Sequence, residues 1–286
     1  MMWSWSKLSA KKWEDAWAER IAGNSNSVIS EVKGGKTVRV TVYLDNEEDA
    51  RVLQRHFGGS VRPVRPQNWV AVQARAQRPP LVIRDRLILT DRVDAADRKA
   101  LQAAYPCRHI LSIPPEMAFG TGDHATTSTC LRLLCDCARR KRPGTWSMTD
   151  IGCGTGVLAL AGIALGASHG IAFDFDPAAV EVAHGNLARN GVSGGKLNLF
   201  QADVFAWEPK PGEEADIVVA NLFSTILQRA FSRIVRAMKP DGELIVSGIL
   251  RAQWEETLAA AECAGLAAER VLGRGKWTTG LLRLRS

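Results

Sequence analysis

The chain reads as an α/β protein: a parallel sheet with helices on both faces, preceded by a small α+β unit. Three observations predict this. From about Thr145 onward, short apolar runs alternate with helix-like stretches, the pattern of a parallel sheet crossed by helices. Before residue 80 the pattern is different, with short alternating runs set around two helical stripes. Between these regions lies "RPVRPQNWVAVQARAQRPP", bracketed by proline at each end, the composition of a linker.

Composition limits the function classes. The 286 residues are 46% hydrophobic and 23% charged, ordinary for a globular protein. The longest apolar run, Val157–Ala167, is too short to cross a bilayer. The start, "MMWSWSKLSAKKWEDAW", has no long apolar segment of the secretory kind, so a cytoplasmic protein without a membrane partner is expected. The six cysteines read as reduced thiols. "CLRLLCDC" has no Cys-x-x-Cys pair and reads as a helix with its sulfurs scattered around it, so no metal is expected. The net charge is +7, and residues 1–80 hold 13 basic against 8 acidic residues, so five of the seven charges lie there. That excess allows an RNA contact or serves solubility alone.

In the first unit, "KKWEDAWAERIA" sets Trp13, Trp17 and Ile21 on one helical stripe. "KTVRVTVYLD" alternates, with Val38, Val40, Val42 and Leu44 on one face and Thr37, Arg39, Thr41 and Tyr43 on the other. "NEEDARVLQRHFGG" is a second helix, acidic at its start and stopped by Gly58 and Gly59. With strands at "MMWSWSKL", "SVISEVKG" and "SVRPV", the order is β-α-β-β-α-β, the ferredoxin-like arrangement. The expected domains are residues 1–75, a linker and connecting strand at 76–94 that includes "LVIRDRLILT", and residues 95–286. "GRG" near the end predicts an antiparallel fold-back.

In open α/β sheets, ligands bind beyond the carboxyl ends of the strands. The first such end carries Asp150, Gly152, Gly154 and Gly156 in "DIGCGTG". The third glycine comes one residue early for a dinucleotide fingerprint, and no lysine follows as a P-loop requires. The second end, "AFDFDP", offers Asp174 for ribose hydroxyls, or as a solvated turn residue, while Asp176 before Pro177 suits a helix cap. The third, "FQADVF", offers Asp203 to an exocyclic adenine amine. The fourth, "VVANLFS", offers the neutral carbonyl of Asn221, which is alternatively a cap for the next helix.

This set of strand ends resembles a class I methyltransferase that binds S-adenosylmethionine. "FGTGDHATTSTCLRLL", just ahead of the first sheet strand, is similar to the signature of the PrmA family, methyltransferases of large-subunit ribosomal protein eleven. That family also has a small ferredoxin-like domain and a C-terminal strand with a tryptophan, as in "GKWTTGLLRLR". Two departures stand out: Ala125 replaces the usual proline after His124, and Asn221-Leu222-Phe223-Ser224 replaces Asn-Ile-Leu-Ala.

The resemblance implies a Rossmann-like, seven-stranded, mostly parallel sheet and S-adenosylmethionine as cofactor. It implies N-methylation of lysine or N-terminal amines on the ribosomal protein, with the small domain selecting that substrate. It assigns the cofactor's methionine end to Thr126 or Thr127, and Phe119 to the wall of the cleft where amine meets sulfonium. Asn221 would orient the amine without holding the ammonium form, and His124 would brace the loop. Two other readings stay open: a methyltransferase of the same fold acting on RNA, another protein or a small molecule, and a non-catalytic binding module.

Overall fold

The computed structural model describes residues 3–14, 17, 21, 27–32, 35–44, 46–63, 79–114, 124–192 and 195–285. The chain forms two compact units, residues 1–77 and 78–286. Most of the proline-bracketed stretch, residues 64–78, lies outside the described residues, as does Phe119.

The small unit contains β1 (Trp3–Ala10), β2 (Ser27–Glu31), β3 (Thr37–Leu44), α1 (Glu47–Phe57) and β4 (Ser60–Pro63). The sheet is antiparallel in the order β2-β3-β1-β4, as a ferredoxin-like unit requires. Val38, Val40 and Val42 are fully buried, so the alternation in β3 does mark its core face. Helix α1 starts where the Asn46 side chain accepts from the Asp49 amide at 2.9 Å. It stops at Gly58, whose φ of 68° favours glycine.

Trp5 fills the core, 5.9 Å from Trp17, and Trp17 meets the edge of Phe57 at 5.5 Å. Both indoles are satisfied: Trp5 Nε1 donates to the Gly58 carbonyl and Trp17 Nε1 to the Ser9 hydroxyl. The stripe expected from Trp13, Trp17 and Ile21 needs one correction. Trp17 and Ile21 are buried, but Trp13 sits in a tight helical turn, Lys11–Trp13, and is 55% exposed. A three-residue turn advances about 120° per residue instead of 100°, which carries Trp13 off the stripe.

The large unit opens with β5 (Leu81–Ile83), β6 (Leu87–Thr90), α2 (Ala95–Ala104) and β7 (His109–Ser112). The expected single strand "LVIRDRLILT" is instead a hairpin, β5–β6, in its own three-stranded sheet with β7. The polar triplet Arg84-Asp85-Arg86 breaks the apolar run, and Arg84 takes a φ of 52° to make the turn. Next comes α3 (Ala125–Ala138). Its Cys130, Cys135 and Cys137 are all buried in the core, and burial pushes each thiol up to about 12, so these sulfurs pack as small hydrophobes.

The main sheet holds β8 (Ser147–Ile151), β9 (His169–Asp174), β10 (Leu197–Gln201), β11 (Ala215–Asn221), β12 (Met238–Leu250), β13 (Leu266–Arg274) and β14 (Trp277–Leu284). Their order is β10-β9-β8-β11-β12-β14-β13. The first five are parallel to one another; β14 runs antiparallel to β12 and to β13. Helices α4 (Val157–Ala164), α5 (Pro177–Arg189), α6 (Ser224–Ile234) and α7 (Trp254–Cys263) form the crossovers. The result is the Rossmann-like, mostly parallel, seven-stranded sheet expected, with the final strands folded back around Gly275. Two buried apolar clusters, one on each face, hold the helices to it.

Candidate active site

Strand order decides what can meet at the carboxyl edge. β10, β9, β8 and β11 are consecutive neighbours. The segments after them therefore line one crevice, at the point where the strand order reverses on either side of β8. Asp203, Asp174, the Gly152–Gly156 turn and Asn221 follow in that order along the edge.

The turn after β8 is held by backbone bonds. The amides of Gly152 and Cys153 both donate to the Phe173 carbonyl, at 2.9 and 3.0 Å. Gly152, Gly154 and Gly156 all have positive φ, of 71°, 54° and 73°. At Gly152 the left-handed backbone favours glycine, and a Cβ there would stand 2.4 Å from Leu222 Cδ2 and displace the end of that side chain.

Asp174 is a structural bracket for this turn. One carboxylate oxygen accepts from the Gly154 amide at 2.8 Å and the other from the Asp176 amide at 3.0 Å. It is therefore not a solvated turn residue. Each oxygen keeps a further lone-pair direction for an outside donor. Asp176 caps α5, accepting from the Ala178 amide at 2.9 Å, with Pro177 at the first helical position.

Asp150 lies a layer below the crevice. It is fully buried, and one of its oxygens accepts from the Ala159 amide in α4 at 3.0 Å. Its other oxygen has no hydrogen-bond partner among the described residues. Burial, with a small contribution from the Asp174 charge, raises its pKa from 3.8 to about 7. Asp203, in the turn after β10, accepts from the Phe205 amide at 2.9 Å.

Asn221 ends β11, beside Ser247 of β12. It does not cap α6: that cap position is Phe223, with no side-chain capping bond. Its Nδ2 lies 3.5 Å from Thr127 Oγ1, and its Oδ1 is buried with no partner among the described residues. A buried amide oxygen left open is costly unless something fills it. Thr126 and Thr127 form the first turn of α3 and are each 1% exposed, so α3 brings the threonines of the opening motif to Asn221.

Phe175 drew no role from the sequence, and Phe223 and Trp277 entered only through the family resemblance. Phe175 and Phe223, 70% and 41% exposed, follow the ends of β9 and β11, on either side of the glycine turn. The signal for them was an aromatic placed one or two residues beyond each polar strand-end residue. Trp277, whose ring edge meets His124 at 5.3 Å, and the buried Ser247–Thr279 bond of 2.7 Å depend on pairing across β12 and β14, which local sequence does not encode.

The residues fit a nucleoside-bearing cation: backbone glycines that admit close approach, carboxylates at two strand ends, and an open amide oxygen beside two threonines. Among the described residues, no cluster of three or more His, Cys, Asp or Glu gathers. No helix among them is long and apolar enough to cross a membrane.

Comparison with known proteins agrees with this geometry. The family described as "Ribosomal protein L11 methyltransferase (PrmA)" matches residues 6–284. A ribosomal protein L11 methyltransferase from Pelotomaculum thermopropionicum is 35% identical over 263 residues, covering 90% of this chain and 80% of that protein. One from Chromobacterium violaceum is 34% identical, covering 86% and 80%. The crystal structure of a ribosomal protein L11 methylase from Lactobacillus delbrueckii subsp. bulgaricus superposes with a TM-score of 0.61 at 23% identity. It covers 73% of this chain and all of that one, a likeness of fold. The chain therefore belongs to the ribosomal protein L11 methyltransferase family.

Proposed function

We propose that this methyltransferase moves methyl groups from S-adenosylmethionine to lysine or N-terminal amines of ribosomal protein L11, in the cytoplasm. The observation that carries the reading is the open Asn221 oxygen, buried beside Thr127 at the end of β11. The cofactor supplies an electrophilic methyl on a good leaving group, so the protein's task is position and desolvation.

In this reading Asp174 accepts from the ribose hydroxyls with the lone pairs its two backbone bonds leave free. Asp203 takes the adenine amine, and Gly152, Gly154 and Gly156 give the backbone its close approach. Asp150 supports the turn from below through Ala159. Thr126 and Thr127 hold the amino-acid end. The amine must arrive neutral, although a free lysine has a pKa near ~10.4. Asn221, an uncharged acceptor, can hold one N–H and aim the lone pair without stabilising the ammonium, as a carboxylate would. Phe119 is assigned the wall of that cleft, where an aromatic face excludes water.

The small unit is assigned substrate selection. A second contact, with RNA, is supported by Arg39 and Arg62. Their pairing partners Leu8, Ser30 and Ser4 place both on the sheet face opposite the valine core. The test is incubation of the purified protein with labelled cofactor and L11, with and without RNA. Label in L11 amines is expected. Label in RNA alone would replace this reading with the second.

A further inference from the structure

The start of α3 has an unusual cap. Helix N-caps are usually Ser, Thr, Asp or Asn, whose short side chains reach the free amides of the first turn. Here the cap is His124, with an extended backbone (φ −62°, ψ 142°). Its Nδ1 lies 2.7 Å from the Thr126 hydroxyl and 3.4 Å from the Thr126 amide nitrogen.

The amide contact argues for one direction of these bonds. An N–H can only donate, so Nδ1 must offer a lone pair to it, and the ring proton belongs on Nε2. The shorter contact then runs from the Thr126 hydroxyl to Nδ1. With its proton committed there, the hydroxyl oxygen keeps only lone pairs to present. Thr126 becomes an acceptor, suited to an ammonium and unsuited to a carboxylate. The ring plane is held by the edge-on contact with Trp277.

We propose that His124 is a positioning residue: its neutral ring fixes the Thr126 hydroxyl as an acceptor for the cofactor's ammonium, and protonation of Nδ1 cancels both this and the helix cap. The inference rests on the cofactor assignment above, and deepens it by giving one hydroxyl a direction and the site an acid-sensitive element. Three cations of the described residues stand around this corner. Arg274 donates to the Ser128 hydroxyl one turn along α3, Arg251 donates to the Gly275 carbonyl, and the Lys276 ammonium lies 5.4 Å over the Trp277 ring. The chain just before His124 carries Glu116 and Asp123, outside the described residues.

The test combines two measurements on the full chain. Nitrogen-15 NMR of labelled histidine in cofactor-free protein should show His124 Nδ1 unprotonated at about pH 8 and protonated in acid. Calorimetry should show S-adenosylmethionine binding weaken from about pH 8 to about pH 5.5 in the wild type. His124→Asn restores a short neutral cap acceptor, so it should bind within about threefold of wild type at the higher pH and lose less affinity in acid. His124→Ala should bind about tenfold more weakly at the higher pH, the scale of a lost cap. A protonated Nδ1 at the higher pH, an Asn variant as weak as the Ala variant, or an unchanged acid loss in the Asn variant would each overturn the proposal. Failure of the wild type to bind the cofactor at all would overturn the cofactor assignment, while the ring-nitrogen spectrum would still decide the His124–Thr126 bond.

Discussion

Two carboxylates twenty-four residues apart show how burial assigns different work to the same group. Asp174 is partly open and accepts from two backbone amides, one on each carboxylate oxygen. Asp174→Ala removes the bracket of the turn and the ribose partner together. Cofactor affinity should fall by about 1.5–3 kcal/mol, the scale of a charged hydrogen-bond partner. Calorimetry that finds unchanged affinity would remove Asp174 from the site. Asp150 is buried, and its pKa is raised from 3.8 to about 7. A raised folded-state pKa means the folded chain holds a proton that the unfolded chain releases between about pH 4 and pH 7. This group therefore makes the protein less stable as pH rises through that window, with no further change above it. Asp150→Asn keeps an acceptor for the Ala159 amide and does not titrate. Its stability should fall less than that of the wild type between about pH 4 and pH 8, by an amount on the order of a few kcal/mol. Denaturant unfolding at both pH values measures it, and identical pH dependence in the two proteins would reject the assignment. At Asn221, substitution by Asp should favour the ammonium and slow methyl transfer by about tenfold or more with little change in cofactor affinity. Single-turnover transfer beside equilibrium binding separates the two, and parallel losses in both would make Asn221 part of the cofactor pocket instead.

At the scale of elements, the glycine turn is sensitive to substitution because its three glycines all take positive φ. Gly152→Ala places a Cβ in the left-handed region, 2.4 Å from Leu222 Cδ2. The nearest atom is the end of a flexible leucine side chain, so the strained backbone of the turn, and not the contact, carries most of the cost. Stability should drop by about 1–3 kcal/mol, with a parallel loss of cofactor affinity, as seen by thermal unfolding and calorimetry. A variant that binds normally would show that the turn can shift freely. The same comparison explains what was legible in sequence. The glycines, Asp174, Asp203 and Asn221 could be read because each follows an apolar run, and strand ends converge wherever a parallel sheet forms. β3 could be read because a half-buried strand must alternate. "LVIRDRLILT" was misread because an arginine with positive φ is an uncommon turn former, so its polar triplet carries no glycine or proline signal. Trp13 was misread because a helical stripe and a short tight turn share the same first residues. The Trp277–His124 contact could not be read at all, since it joins residues 153 positions apart through the pairing of other strands.

At the scale of the molecule, each unit has a core of its own. Trp5, Trp17, Val40, Val42 and Ala50 close the first, while two separate clusters close the second. Every residue assigned to the cofactor, from Thr126 to Asn221, belongs to the second unit, residues 78–286. Cofactor binding and substrate selection should therefore be separable by cutting the chain. A fragment beginning at Arg78 retains the seven-stranded sheet, the glycine turn and the start of α3, and should bind S-adenosylmethionine with nearly the affinity of the full chain. It lacks the four-stranded sheet with Arg39, Thr41 and Tyr43 on the face opposite its valine core, and should label L11 far more slowly, mainly through a raised KM. A milder version leaves the chain whole: Trp5→Ala removes a fully buried tryptophan from the small core and should cost that unit about 3–5 kcal/mol. Its loss of L11 methylation at an unchanged cofactor affinity would match the fragment. Normal methylation of L11 by the fragment would show that the second unit recognises its substrate unaided, and the small sheet would then need another partner.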